Sequence, residues 1–184
     1  MAKIFLVRHG QDEDNLNGIL NGRRDTPLTG LGKQQAEIVA QKLQLLKIEV
    51  IFSSPLIRAN QTANIIATAL NIKNIILNDN LIERDFGILS GCSLSDIPKL
   101  SSNIVKGDKV NYFLDGDGVE TFETLYERAS LLLNHVRSSY IDKNILFVTH
   151  GDIGKIIYAS FHGLGWNKGL LTPYFQNTGI LELS

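Results

Sequence analysis

Cysteine, methionine and tryptophan each occur once among the 184 residues of this chain, and proline occurs only four times. The single cysteine, Cys92, excludes an internal disulfide framework and leaves no cysteine cluster for zinc. No apolar run approaches the ~20 residues that span a bilayer. The chain enters a strand-like run at once, without a signal-peptide pattern. We therefore expect a cytoplasmic protein that does not bind a membrane.

A large excess of charge of either sign is also lacking. The 18 Lys and Arg residues are balanced by 19 Asp and Glu residues, which gives a formal net charge of −1. This balance provides no basic field that would favour nucleic acid as a partner. The hydrophobic share of 43% is ordinary for a globular protein, and the length favours a single domain over residues 1–184.

Strand-like and helix-like segments alternate along most of the chain. Apolar runs of strand composition lie at residues 3–8, 50–52, 75–77 and 145–148. Apolar residues at helical spacing follow them at about 30–46, from Ser54-Pro55 to about 70, from Thr121 to about 136, and from Gly151 to about 163. The alternation predicts an α/β fold with a mostly parallel central sheet and helices on both faces.

Three finer expectations accompany this fold. In the helix at about 30–46, Ile38, Val39, Leu43 and Leu46 are expected on the buried face. Residues at about 174–183 alternate loosely and predict one or two edge strands. Residues 93–120 are the least periodic, which predicts an excursion from the main layer with at most a short helix.

Several charged residues follow the predicted strands directly. Arg8-His9-Gly10 ends the first strand, His150-Gly151 ends the fourth, and Arg58 comes soon after the second. Because the carboxyl ends of parallel strands lie at one edge of a sheet, these side chains are expected to meet in one crevice. Two arginines and two histidines would form an anion site there, and free N–H groups at helices beginning near Ser54 and Gly151 would add positive potential.

Five segments resemble motifs of one known family. They are Leu6-Val7-Arg8-His9-Gly10 with Asn15, Ser53-Ser54-Pro55-Leu56-Ile57-Arg58-Ala59 with Thr62, Glu83-Arg84-Asp85-Phe86-Gly87, Gly118-Val119-Glu120-Thr121, and Thr149-His150-Gly151. In type, order and spacing they resemble the histidine phosphatase superfamily, also called the phosphoglycerate mutase-like family. The resemblance covers nearly the whole chain.

The resemblance implies a role for each matching residue. His9 would be the nucleophile that forms a phosphohistidine, and Glu83 would protonate the leaving oxygen. Arg8, Arg58 and His150 would hold the phosphoryl oxygens. Further contacts to substrate are expected from Asn15, Arg23 and Gly151. The family needs neither a metal ion nor an organic cofactor for hydrolysis, so none is expected here.

Asp12 departs from the family pattern. It stands where a Ser or Thr is common, which puts a hydroxyl contact to the substrate in doubt. An added carboxylate, expected near the mouth of the site, would disfavour highly anionic substrates.

The activity expected is hydrolysis of a small phosphorylated metabolite. A phosphoglycerate mutase is the main alternative; a phosphoprotein phosphatase and a non-catalytic phosphate-binding module rank lower. Hydrolysis is favoured because residues 93–120 contain lysines but no arginine. This segment is expected either to form a lid or insertion over the active site or only to pack against the domain. The sequence leaves the substrate open, and a homodimer is one expectation for the oligomeric state.

Overall fold

The computed structural model describes residues 3–107, 109–173 and 175–183. Its strands are β1 (Ile4–Arg8), β2 (Val50–Ser53), β3 (Ile75–Leu77), β4 (Ile104–Lys106), β5 (Asn111–Phe113), β6 (Ile145–Thr149) and β7 (Ile180–Glu182). Its helices are α1 (Glu13–Asn17), α2 (Gly30–Leu43), α3 (Ile57–Leu70), α4 (Ile97–Leu100), α5 (Phe122–Ser139), α6 (Gly151–Phe161) and α7 (Trp166–Leu170), with single 3₁₀ turns at Gln44–Leu46, Asp79–Leu81 and Gly87–Leu89.

The central sheet has the strand order β3-β2-β6-β1-β7. The first four strands are parallel, and β7 adds an antiparallel edge to β1. This confirms the predicted α/β fold and its mostly parallel sheet. One edge strand forms within the range predicted to hold one or two, although Tyr174 and Ser184 lie outside the described residues.

Helices cover both faces of the sheet because the strands are apolar on both sides. Leu6 and Phe147 face the side where α5, α6 and α7 pack, whereas Val7 and Leu146 face α2 and α3. All four side chains are almost completely buried. Burying a Leu or Phe side chain contributes roughly 1.5–3 kcal/mol, so the inner strands are well stabilised on both faces.

The helix predicted to begin at Ser54-Pro55 begins later. Leu56 is the N-cap of α3, and the Ile57 N–H is bound by the Asp25 carboxylate at 2.6 Å. Ser54 does not cap the helix but lies 2.8 Å from the His150 ring. In α2, Val39 and Leu43 are buried as predicted, but Ile38 is exposed; Ala36 and Ala40 complete the buried face instead.

The excursion at 93–120 contains the predicted short helix, α4, and also an unpredicted antiparallel hairpin of β4 and β5. Phe113 and Ile97 of this excursion form a small cluster with Phe86 and Leu89, whereas Tyr112 belongs to the core cluster on the α5 and α6 side of the sheet. Arg84 joins this excursion to the main layer. Its buried guanidinium stacks over Phe122 and donates to the Phe113 carbonyl at 2.6 Å.

Candidate functional site

The two histidines meet because their strands are neighbours. Arg8 in β1 pairs with Thr149 in β6, and the residue that directly follows each of these strands is a histidine. The rings of His9 and His150 lie 5.0 Å apart between centroids and are tilted by 56°. Gly10 follows in a close backbone approach, since a Cβ there would lie 2.3 Å from the Gly32 carbonyl oxygen. The crevice expected from the strand ends is thus present.

His9 presents one ring nitrogen with a lone pair. Its Nδ1 lies 2.7 Å from the Gly10 carbonyl and donates to it, so the lone pair is on Nε2. Nε2 lies 3.3 Å from Nε of Arg58. Burial, followed by the charges of Arg58 and Arg8, holds the pKa of His9 well below its ordinary value. The imidazole is therefore neutral near pH 7 and can act as a nucleophile.

His150 has the opposite proton arrangement available to it. The Ser54 hydroxyl lies 2.8 Å from Nε2 and accepts the Leu56 N–H, so it can donate to Nε2 and leave the proton on Nδ1. Nδ1 is buried and has no hydrogen-bond partner among the residues that the structure describes. Burial is the main cause that lowers the pKa of His150 well below its ordinary value. A neutral ring with an N–H at Nδ1 can donate to an oxyanion.

Arg58 is completely buried and fixed by backbone oxygens. Its Nη1 and Nη2 donate to the carbonyls of Arg24 and Gly22, both at 2.7 Å. Its Nε faces His9 and also the carboxylate of Asp12, at 3.1 Å. The first turn of α3 therefore holds the guanidinium beside His9, and the segment between α1 and α2 closes around it.

Glu83 occupies the N-terminus of α6. Its Oε2 accepts the N–H groups of Gly151 at 2.8 Å and Asp152 at 3.2 Å, and its Oε1 accepts those of Ile153 and Arg84. The expectation of free N–H groups was therefore wrong at this helix, and at α3 the Ile57 N–H is bound by Asp25. Both helix N-termini bind carboxylates of the protein, which is how such termini bind anions.

A second carboxyl group lies next to Glu83. Asp152, in the first turn of α6, pairs with Nε of Arg84 at 3.0 Å. Burial raises the pKa of Asp152 to about 6, against the opposing charge of Arg84. Asp85, the second acid noted in the sequence, instead faces outward to Arg23 at 3.4 Å and to the Gly87 N–H.

A cavity of about 410 Å³ opens beside Glu83 and Asp152, and His9, Arg58 and His150 are not among the residues that line it. The hairpin supplies one wall, and Arg8 and Gly151, each adjoining a histidine, also line it. Its charged and amide-bearing lining residues are Arg8, Glu83, Lys109, Asp152, Lys155, Asn15, Asn21, Asn111 and Asn177, and its larger apolar ones are Ile19, Leu20, Phe86, Leu94, Val110, Tyr112, Phe113 and Phe175. Arg23 is not among them, since it is held by Glu120 and Asp85.

Sequence reasoning missed the contacts of two residues around this cavity, Asn177 and Lys155. Asn177 donates to the His9 carbonyl at 2.9 Å and to Oδ1 of Asn15 at 3.1 Å, which fixes the orientation of the Asn15 side chain. Lys155 is buried and donates to the Tyr112 hydroxyl and two carbonyls, all at 2.7 Å. Nothing in a single sequence marks these residues, because their partners are distant in the chain.

A sequence model of the histidine phosphatase superfamily, branch 1, matches residues 4–184. The chain belongs to this superfamily. The resemblance seen in its motifs is thereby confirmed, and the chain is a histidine phosphatase superfamily enzyme with phosphatases among its relatives.

Three similar proteins illustrate the range of this superfamily. Phosphoserine phosphatase 1 of Hydrogenobacter thermophilus is 31% identical over 169 residues, covering 91% of this chain and 80% of that protein. The probable phosphoglycerate mutase GpmB of Escherichia coli O1:K1 is 34% identical over 154 residues, covering 82% and 70%. A phosphoserine phosphatase from Entamoeba histolytica, solved with 3-phosphoglyceric acid, superposes with a TM-score of 0.81 at 29% identity, covering 99% and 90%.

Two further features are absent from the described residues. No group of three or more His, Cys, Asp or Glu side chains is arranged to hold a metal ion. No helix in the described ranges has both the length and the apolar composition needed to cross a bilayer.

Proposed function

We propose that this chain hydrolyses small phosphomonoesters through a phosphohistidine formed on His9. The observation that carries the proposal is the neutral, buried His9 ring, whose Nε2 faces the guanidinium of Arg58 at 3.3 Å. A lone pair beside a fixed cation suits attack on a phosphoryl group, because the cation offsets the charge of the phosphoryl oxygens.

The first step forms the bond from His9 Nε2 to phosphorus and breaks the bond from phosphorus to the ester oxygen. Arg8, Arg58 and the Nδ1–H of His150 take the phosphoryl oxygens. The leaving oxygen receives a proton from a carboxyl group, for which Glu83 is the first candidate because it lines the cavity next to Gly151. The alcohol then departs into the cavity.

The second step transfers the phosphoryl group to water. The same carboxylate, now without its proton, accepts a proton from the attacking water. The bond from Nε2 to phosphorus breaks, which regenerates the neutral imidazole and releases inorganic phosphate. Asn15 lines the cavity and is held by Asn177, which supports a contact to the organic part of the substrate.

The second candidate activity is that of a phosphoglycerate mutase, which the similarity to GpmB favours. A mutase must also hold the second anionic end of a phosphoglycerate. The cavity offers Lys109 and Lys155 for this, but Lys155 already donates to three oxygens of the protein. Lys109 is then the one lysine of the described cavity lining left to bind a second anionic group, and residues 93–120 contain no arginine. This shortage of cations supports hydrolysis over isomerisation.

Incubation with 3-phosphoglycerate or phosphoserine tests the choice between these activities. We expect inorganic phosphate as the product, measured by a colorimetric assay, and no phosphoglycerate isomer by NMR, with or without bisphosphoglycerate. A matched incubation without protein is the control. Isomer formation faster than phosphate release would replace hydrolysis with the mutase reaction.

Activity is expected to survive removal of divalent metals. Arg8 and Arg58 place two fixed positive charges where a metal ion would otherwise offset the phosphoryl charge. Exhaustive dialysis against EDTA should therefore leave the rate of phosphate release within about twofold of the untreated protein. A loss that one divalent metal ion restores would contradict this expectation.

A further inference from the structure

Asp12 is a buried carboxylate inside the catalytic cluster, not at its mouth. Its side chain is completely buried. Oδ1 caps α1 by accepting the Asn15 N–H at 2.7 Å, and Oδ2 accepts from Nδ2 of Asn21 at 2.6 Å. Oδ2 also lies 3.1 Å from Nε of Arg58 and 3.8 Å from Nδ1 of His9.

This placement gives Arg58 a counterion within the protein. The Nε–H of Arg58 is shared between the Asp12 carboxylate and the lone pair of His9. Under the proposed function, a phosphoryl group bound at His9 needs the charge of this same guanidinium. The Asp12 carboxylate repels that group and competes with it for Arg58. A threonine or serine at this position carries no charge, so it would neither repel the phosphoryl group nor compete as an anion for Arg58.

We propose that Asp12 is a positioning residue that competes with tetrahedral oxyanions for Arg58 and thereby sets how much negative charge the site accepts. Ionised Asp12 weakens the binding of a dianion, and protonated Asp12 does not. Oxyanion affinity therefore rises as the pH falls. The inference rests on the proposed function in one respect, namely that Arg58 faces the phosphoryl group of the substrate.

The charged groups around Asp12 allow its carboxylate to take up a proton. On β1 and just after it stand Arg8 and His9, and α3 supplies Arg58; the arginines stay charged, and His9 is already neutral. On α1, Asp14 is tied to Arg24 at 2.8 Å. Burial raises the pKa of Asp12 above its ordinary value, although the Asn15 N–H and Arg58 oppose this. Asp12 thus takes up its proton at a higher pH than an exposed aspartate.

Sulfate is the probe for this proposal, because it remains a dianion throughout the weakly acidic range and any pH dependence comes from the protein. Calorimetric titration with sodium sulfate between about pH 8 and about pH 5 would be compared for wild type and Asp12→Asn. We expect Asp12→Asn to bind sulfate about tenfold or more tightly at the upper pH, as removal of a nearby like charge requires. Wild-type affinity should approach that of the variant as the pH falls.

Two further variants separate charge from structure. Asp14→Asn removes a neighbouring buried carboxylate that pairs with Arg24 instead of Arg58, and should leave sulfate affinity close to wild type. Asp12→Thr keeps an oxygen to cap α1 and should show the same tighter binding as Asp12→Asn, even if the asparagine variant folds poorly.

The outcomes distinguish this proposal from the proposed function. If both Asp12 variants fold but bind sulfate no more tightly than the wild type at the upper pH, Asp12 is only a helix cap and the proposal is wrong. Sulfate binding does not require turnover. Failure of the wild type to hydrolyse any phosphomonoester would therefore count against the proposed function alone.

Discussion

Replacing His9 with alanine is expected to lower the rate of phosphomonoester hydrolysis by about 10³-fold or more, because loss of a nucleophile leaves only binding and charge stabilisation. His9 is the buried ring whose Nε2 faces Arg58 at 3.3 Å. Rapid quench with ³²P-labelled substrate should trap a phosphoprotein on the wild type that is labile in acid and stable in base. The alanine variant should form none.

His135→Ala is the matched control, since His135 is an exposed histidine on α5 whose ring lies edge-on to that of Tyr140. It should retain wild-type turnover and the labelled adduct. An adduct of unchanged yield on His9→Ala would mean that another residue carries the phosphoryl group. His150 would be the next to replace, because its ring centroid is 5.0 Å away.

Glu83→Gln is expected to slow phosphorylation by an alkyl phosphate by about 10²–10⁴-fold, the usual contribution of general acid catalysis. Glutamine preserves the size of the side chain and one acceptor oxygen for the N-terminus of α6, but it has no proton to transfer. An alkoxide is a poor leaving group and needs that proton. A nitrophenolate leaves without it, so the burst rate with p-nitrophenyl phosphate should fall much less.

Asp152→Asn and Asp85→Asn complete this comparison. Asp152 lies beside Glu83 in the cavity, and burial raises its pKa to about 6, closer to neutral pH than that of an ordinary aspartate. Asp85 faces Arg23 on the outer side, so Asp85→Asn should leave the burst rates with both substrates unchanged. Equal burst losses for the two substrates in Glu83→Gln would remove Glu83 as the acid, and a larger alkyl-specific loss in Asp152→Asn would assign the role to Asp152.

The main layer of the fold could be predicted because its signals are local. Runs such as Ile145 to Val148 are strand-like by composition, and Thr121 caps α5 at the residue predicted. The β4–β5 hairpin could not be predicted, because its apolar side chains pack on Leu89 and Phe86 from other segments. The burial of Ile38 was predicted wrongly for a related reason. The buried face of a helix depends on the elements that pack against it, and α2 packs on α3 through a face that includes small alanines.

The members of the candidate site could be predicted, but several of their contacts could not. The parallel sheet explains why His9 and His150 adjoin. The binding of Glu83 at α6 depends on the path of the chain after β3, which no periodicity encodes. The burial of Asp12 depends on α1 and on Asn21, and a single sequence shows only that an acid stands beside the motif.

The pairing of β1 with distant strands has a consequence for how the chain is made. Ile4 pairs with Ile145, and Val7 pairs with Ile180. Bringing such distant segments together costs conformational entropy before any contact stabilises them. Strands that pair with distant parts of the chain therefore form their contacts late in folding. Until β6 leaves the ribosome, β1 is an apolar strand with both edges unpaired, a state prone to aggregation. His9 and His150 therefore meet only after the segment through β6 has been synthesised.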